Sequence, residues 1–170
     1  MVKTYAYGFP RIGKNREYKK TIENFWKDKI NTEELFSKIQ NIEMENESLY
    51  KEKLDLFPTN EMTMYDKMLD TAIMVGLYNP QDMKEYYELC RGKNCLEMTK
   101  WFNTNYHYLV PDFTDWIVPT FYKQPKFSLT GENPHLIGPF TFLKLSKGLE
   151  GKKFEDFAFK LSLVYKGIIE

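Results

Sequence analysis

Cysteine is scarce in this chain of 170 residues, which holds only Cys90 and Cys95. So close a spacing gives no useful disulfide frame, and without a second ligand pair it gives no structural zinc site; two reduced, partly buried thiols are expected. Net charge is also missing, with 24 Lys plus Arg against 24 Asp plus Glu. Nothing global therefore draws the chain to nucleic acid or to an anionic membrane, and any electrostatic function must be local. No apolar run approaches the roughly 20 residues that span a bilayer, and Met1-Val2-Lys3 leads into a short strand pattern rather than a signal-peptide core. A cytoplasmic protein is expected. The sequence further lacks a strand-linked Gly-rich phosphate cradle, a convincing catalytic pair of carboxylates and a motif-placed Ser/His/Asp set. Alone, it reads as a binder rather than a catalyst.

Aromatic residues are plentiful, with 12 Tyr and 13 Phe, and most must pack inside. The length and a 42% hydrophobic content suit a single domain over residues 1–170. Thr4 to Phe9 is β-rich and is broken by Pro10. Beyond Asn15, a candidate N-cap, Tyr18, Ile22, Phe25 and Trp26 share one helical face, which predicts a helix from Arg16 to about Asp28. Asn31 and Glu34 have capping-box spacing at the head of a long, largely solvated helix toward Lys53. Leu54 to Phe57 reads as a second strand, and Tyr65 to Val75 as a buried helix closed by Gly76. Asn79-Pro80 opens another helix to about Cys90, followed by strand candidates at Cys95 to Lys100 and His135 to Ile137. A helix beginning in Gly138 to Leu143 and an amphipathic helix over Phe154 to Ile169 complete the pattern. Strands alternating with helices imply an α/β fold with a parallel sheet, of which a barrel is one closed form. About four strand candidates are too few for a full eight-stranded barrel, and Phe113 to Pro134 is Pro-rich with little periodicity.

Two constellations carry chemistry. Five cations, Arg11, Lys14, Arg16, Lys19 and Lys20, surround a strand exit and the first turns of a helix. Cations there oppose the helix dipole, which suggests an anionic guest, although from spacing alone an ordinary solvated face with Glu17 and Glu23 as neighbours is the more common reading. The second is Glu97 to Tyr108, a polar and aromatic run without helical or strict strand period that suits a binding loop. Its Asn and Thr side chains offer donors and acceptors, Lys100 a point charge, and its rings flat walls for a planar ligand. His107 could act as acid or base, but a lone His among aromatics is more often a hydrogen-bonded packing residue, and His135 beside Leu136 and Ile137 more so. Gly138 to Leu143 supplies a further strand-to-helix loop on the side where barrels bind ligands.

In order along the chain, Gly8-Phe9-Pro10-Arg11-Ile12-Gly13 with Arg16-Glu17-Tyr18-Lys19, Leu69-Asp70-Thr71-Ala72, Glu97 through Tyr108 with Val110-Pro111, and Ile137 through Leu143 with Ser146-Lys147 resemble the N-terminal domain of cobalamin-independent methionine synthase. The resemblance implies a TIM-barrel-like (β/α) domain, incomplete or shortened here, because the family pattern expects a further helix between Pro111 and Gly138. It implies methyl transfer from 5-methyltetrahydrofolate polyglutamate to homocysteine, with two barrels facing each other across the substrate site. Carried over by motif, Arg16, Glu17, Tyr18, Lys19 and Lys100 would bind the folate's glutamate tail, with Asn105 a further candidate. The family's zinc ligands belong to the C-terminal barrel, so no metal or cofactor is assigned to this chain, and Cys90, Cys95, His107 and His135 are not read as ligands. The implied partner is that C-terminal barrel, in the same or another chain, and the chain alone is expected to be inactive. An ending at Glu170 fits either a piece of a longer protein or a short relative. An alternative is a non-catalytic binding or assembly module derived from the barrel, and the sheet edges of a half-built barrel favour a homo-oligomer.

Overall fold

The helices form where capping and apolar spacing coincide. The computed structural model describes residues 2–6, 12–58, 62–116 and 135–169. These fall into two compact units, the first running to Met64 and including His135, the second from Tyr65 to Trp116 and from Leu136 onward. The sequence block Gly8 to Arg11, and Pro119 to Pro134 of the Pro-rich stretch, lie outside the described residues.

In the first unit, α1 (Glu17–Trp26) packs against α2 (Thr32–Lys53). Ile22 and Phe25 of α1 are buried, as are Leu35, Ile39 and Ile42 of α2, so each helix hides one stripe and leaves the rest to water. The capping box forms as its spacing predicts. The Asn31 side chain accepts the Glu34 amide at 2.9 Å, and the Glu34 carboxylate accepts the Asn31 amide at 3.0 Å. The described residues of the two strand candidates form an isolated parallel bridge between Tyr5 and Leu56, reinforced by the Thr4 amide and hydroxyl donating to the Asp55 carboxylate at 2.8 and 2.9 Å; Tyr7 to Phe9 of the first candidate lie outside the described residues.

The second unit contains α3 (Lys67–Met74), α4 (Met83–Arg91), β1 (Met98–Lys100), β2 (His107–Leu109), α5 (Pro139–Lys144) and α6 (Phe154–Ile169). Its core gathers Met68, Ala72 and Val75 of the α3 region, Tyr108, Val110 and Phe113 after the sheet, Phe142 and Leu143 of α5, and Leu161 and Val164 of α6. Asp66 is buried and caps α3 by accepting the Met68 and Leu69 amides at 2.9 and 3.0 Å. Helix α4 starts at Met83 behind an Asp82 cap, three residues later than Asn79-Pro80 suggests, because Asp82 is the side chain that accepts the Glu85 amide.

The mixed helix-and-strand class is present, but the expected sheet differs. Among the described residues the one named sheet is antiparallel, pairing β1 with β2. Among the described residues, parallel pairing is confined to the Tyr5–Leu56 and Asp112–Lys147 bridges, and these residues form no barrel. The predicted strand at His135 to Ile137 is coil, and the Ile137 carbonyl is taken by the Tyr165 hydroxyl at 2.6 Å. Replacing Asp66 with Ala should destabilise the chain by about 1–2 kcal/mol, since two buried amides lose their acceptor. Asp66→Asn, whose amide oxygen still accepts, should recover most of that in urea unfolding; equal loss in both variants would show that the cap is not the cause.

Candidate functional site

The two constellations sit in different units and each is built locally. At the head of α1, Arg16 holds φ 63° and ψ 36°, a left-handed conformation that costs a non-glycine residue on the order of 1 kcal/mol or more. Its side chain caps nothing. The role passes to Glu17, whose carboxylate accepts the Asn15 amide at 2.8 Å. Its own amide and that of Asn15 hold this carboxyl below the usual range. Gly13, at φ 77°, is required beside it: a Cβ there would meet Glu17 Oε2 at 2.3 Å.

Arg16, Lys19, Lys14 and Lys20 are exposed around this turn. Lys19 pairs with Glu23 at 3.6 Å, both well exposed, so the charge-neighbour reading holds for that pair. Glu17 is turned toward the backbone rather than toward a lysine. Tyr18 is structural as well as adjacent, donating its hydroxyl to the Thr63 carbonyl at 3.1 Å. A cleft of about 380 Å³ opens between α1 and α2, lined among others by Glu17, Lys20, Asn24, Lys38, Asn41 and Glu45. Its charges are of both signs, and neither Arg16 nor Lys19 lines it.

The run from Glu97 to Tyr108, expected as a loop, is a β-hairpin. Met98 faces Leu109, Thr99 faces Tyr108 and Lys100 faces His107, while the Trp101 amide donates to the Tyr106 carbonyl at 2.8 Å to close the end. The turn is fastened by Thr104, whose amide and hydroxyl both donate to the Trp101 carbonyl at 3.2 and 2.6 Å. Phe102 takes φ 52° and leaves 65% of its surface exposed, an expensive conformation for a large ring. Trp101 lies edge-on to Phe102, Tyr106 and Tyr108, an aromatic cluster that starts one residue along the chain from Lys100.

Lys100 and Asn105 are both exposed on this hairpin, and Lys100 has no ion pair among the described residues. His107 is exposed rather than packed, which corrects the packing expectation; its Nδ1 lies 3.1 Å from the Asn105 carbonyl. A carbonyl only accepts, so Nδ1 is the donor in this contact. His135 does serve as a hydrogen-bonded residue, its Nε2 meeting the Tyr5 hydroxyl.

Sequence reasoning missed the charged knot at the foot of the hairpin. Lys147 Nζ stands 3.2 Å from Glu97 and 3.7 Å from Asp112, and Asp112 also accepts the Thr114 hydroxyl and amide at 2.6 and 2.9 Å. Those Thr114 donors hold the Asp112 carboxyl below its usual range. The Glu97 and Lys147 identities carry no pattern, because their partners are about 50 and 35 positions away in sequence.

Among the described residues no group of three or more His, Cys, Asp or Glu side chains could hold a metal ion. Burial pushes the Cys90 thiol far above its ordinary value, so it stays protonated, and Cys95 is exposed apart from any ligand set. These residues do not fit a zinc ion.

By architecture this is a mixed α and β chain that displays cations at a helix head in one unit and on an aromatic hairpin in the other. The chain belongs to the cobalamin-independent synthase family and matches its N-terminal domain over residues 3–170. Similar proteins include the 5-methyltetrahydropteroyltriglutamate–homocysteine methyltransferase of Thermotoga petrophila, 39% identical over 99% of this chain and 25% of that protein. Proteins of the same name from Thermotoga maritima and Bacillus cereus are 42% and 38% identical, over 86% and 90% of this chain and 22% and 23% of their own lengths. The chain thus spans about a quarter of the curated relatives it matches. None of the helices among the described residues is long and apolar enough to cross a membrane.

Asp112 gives a pH prediction. Its folded pKa lies below the unfolded value near 3.9, so its contribution to stability is complete above that value and is lost as pH falls through the lower folded one. A carbon NMR titration should place its midpoint below the ordinary aspartate value, and Thr114→Val should move it part of the way back. An unmoved midpoint in that variant would remove Thr114 as the cause.

Proposed function

We propose that this chain is the folate-polyglutamate-binding N-terminal part of a cobalamin-independent methionine synthase, which transfers a methyl group from 5-methyltetrahydrofolate to homocysteine. The observation that carries this reading is the exposed Lys100 on a hairpin that also carries the Trp101 aromatic cluster and whose sequence falls in the matched family region. An ammonium with no ion pair among the described residues suits a glutamate carboxylate, and flat rings suit a planar ligand. Arg16 to Lys19 form a second cationic contact for tail carboxylates, supported by the dipole of α1. Glu17 acts there through the backbone, keeping the turn that exposes Arg16, and Asn105 offers a neutral donor and acceptor next to His107.

The two parallel bridges, Tyr5–Leu56 and Asp112–Lys147, are read as pieces of a barrel, with residues 1–170 as one domain of it. The reaction needs the homocysteine sulfur as a thiolate, since a thiol attacks poorly, and a folate nitrogen made a better leaving group by protonation. Those groups, with the zinc ion the family uses, are assigned to a C-terminal barrel in the same or another chain, and the present chain alone is inactive in this reading. The setting is a cytoplasmic one.

A second reading, a non-catalytic assembly module, is favoured by the exposed Phe159, Leu163 and Ile169 of α6. A monodisperse monomer in light scattering would count against it.

Calorimetric titration with triglutamyl and monoglutamyl methyltetrahydrofolate tests the first reading. Triglutamate should bind more tightly and more salt-sensitively, and Lys100→Ala and Arg16→Ala should each weaken it roughly 3- to 10-fold. Equal affinity for both forms, or no effect of either substitution, would reject the tail site.

A further inference from the structure

The hairpin leaves the body of the second unit at two feet, Glu97 just before β1 and Asp112 shortly after β2. They are joined across the sheet's base by the Val110 amide donating to the Glu97 carbonyl at 2.8 Å. Lys147 engages this base twice. Its backbone forms the parallel bridge, its amide donating to the Pro111 carbonyl at 2.9 Å and its carbonyl accepting the Phe113 amide at 2.8 Å. Its side chain turns back, placing Nζ 3.2 Å from Glu97 Oε2 and 3.7 Å from Asp112 Oδ2. The next residue, Gly148, has φ 80° and sits so close that a Cβ would meet the Thr114 amide nitrogen at 2.3 Å. No side chain fits between this segment and the hairpin's foot.

We propose that Lys147 is a positioning residue whose ammonium ties Glu97 to Asp112, and so holds both feet of the hairpin that presents Lys100 to ligand carboxylates. This rests on the reading of Lys100 as a ligand contact. Two carboxylates already share the ammonium, which leaves it little capacity for a third anion. Its hydrogen bond to Glu97 also holds its pKa above the ordinary lysine value, so it stays charged across the physiological range. Binding by an untethered hairpin would have to order it at the moment of contact; with the feet tied, that ordering is completed on folding.

Amide hydrogen exchange on the full chain tests the tether separately from the ligand. Lys147→Met should speed exchange at Trp101 and Val110 by about three-fold, the scale of partly exposed ion pairs, and leave the α6 amides of Leu161 and Tyr165 unchanged. Lys147→Arg should restore protection, and adding Glu97→Gln to Lys147→Met should change little further. Triglutamyl methyltetrahydrofolate should bind Lys147→Met about three-fold more weakly with an unchanged salt dependence, because Lys100 still makes its contact. Unaltered hairpin exchange, or equal acceleration in α6, would overturn the proposal. A shallower salt dependence would make Lys147 a direct ligand contact and overturn it as well. If wild-type chain binds no folate while the exchange pattern is as expected, the tether stands and the ligand reading of Lys100 falls.

Discussion

The second unit depends on one short parallel pairing, between Asp112 and Lys147. It joins the chain leaving the antiparallel hairpin to the chain leaving α5, segments that are distant in sequence and therefore costly to bring together. Close to this pairing lies Phe113, fully buried, with Trp116, Phe142 and Phe157 edge-on to its ring. A side chain of that size contributes about 1.5–3 kcal/mol by leaving water, more than the exposed ion pair beside it. Apolar packing thus brings the strands together, and the Lys147 ion pairs then act on a geometry already set.

The first unit solves a different problem. Its leading helix begins without an ordinary N-cap, so the chain uses Glu17 to satisfy the Asn15 amide and places Arg16 in a left-handed conformation. Strain of this kind persists only where neighbouring contacts impose it. Here the Gly13 turn, the Tyr18 hydroxyl on Thr63 and the burial of Ile22 and Phe25 against α2 do so. The exposed position of Arg16 follows from that arrangement.

Much of the helical framework was legible in the sequence because its causes are local. The Asn31–Glu34 box, the Gly76 stop and the apolar stripe of α6 each lie within a few residues of the element they define. The strand candidate at Cys95 to Lys100 is present in its last three residues as β1, but the hairpin was not legible as one, since its pairing with β2 is set by Tyr108 and Leu109 packing into the unit's core. The strand predicted at His135 to Ile137 fails to form for a similar reason: the residues look extended, but the Tyr165 hydroxyl of α6 claims the Ile137 carbonyl. Of the site, the charged and aromatic residues could be read one by one, whereas the Glu97–Lys147–Asp112 knot exists only after folding.

The hairpin's register also bears on how its sequence can drift. Tyr108 and Leu109 are anchored in the interior while Lys100 and His107 face each other near the free end. Adding or deleting a single residue in β1 between Glu97 and Lys100 would rotate the lysine to the opposite side of the ribbon without disturbing the core. Changes by two would keep its side but shift it along the strand by one pleat. Length variation in this segment is therefore quantised, and the turn from Phe102 to Asn105, beyond the last paired residues, is where the chain can absorb odd insertions without reversing its charged face.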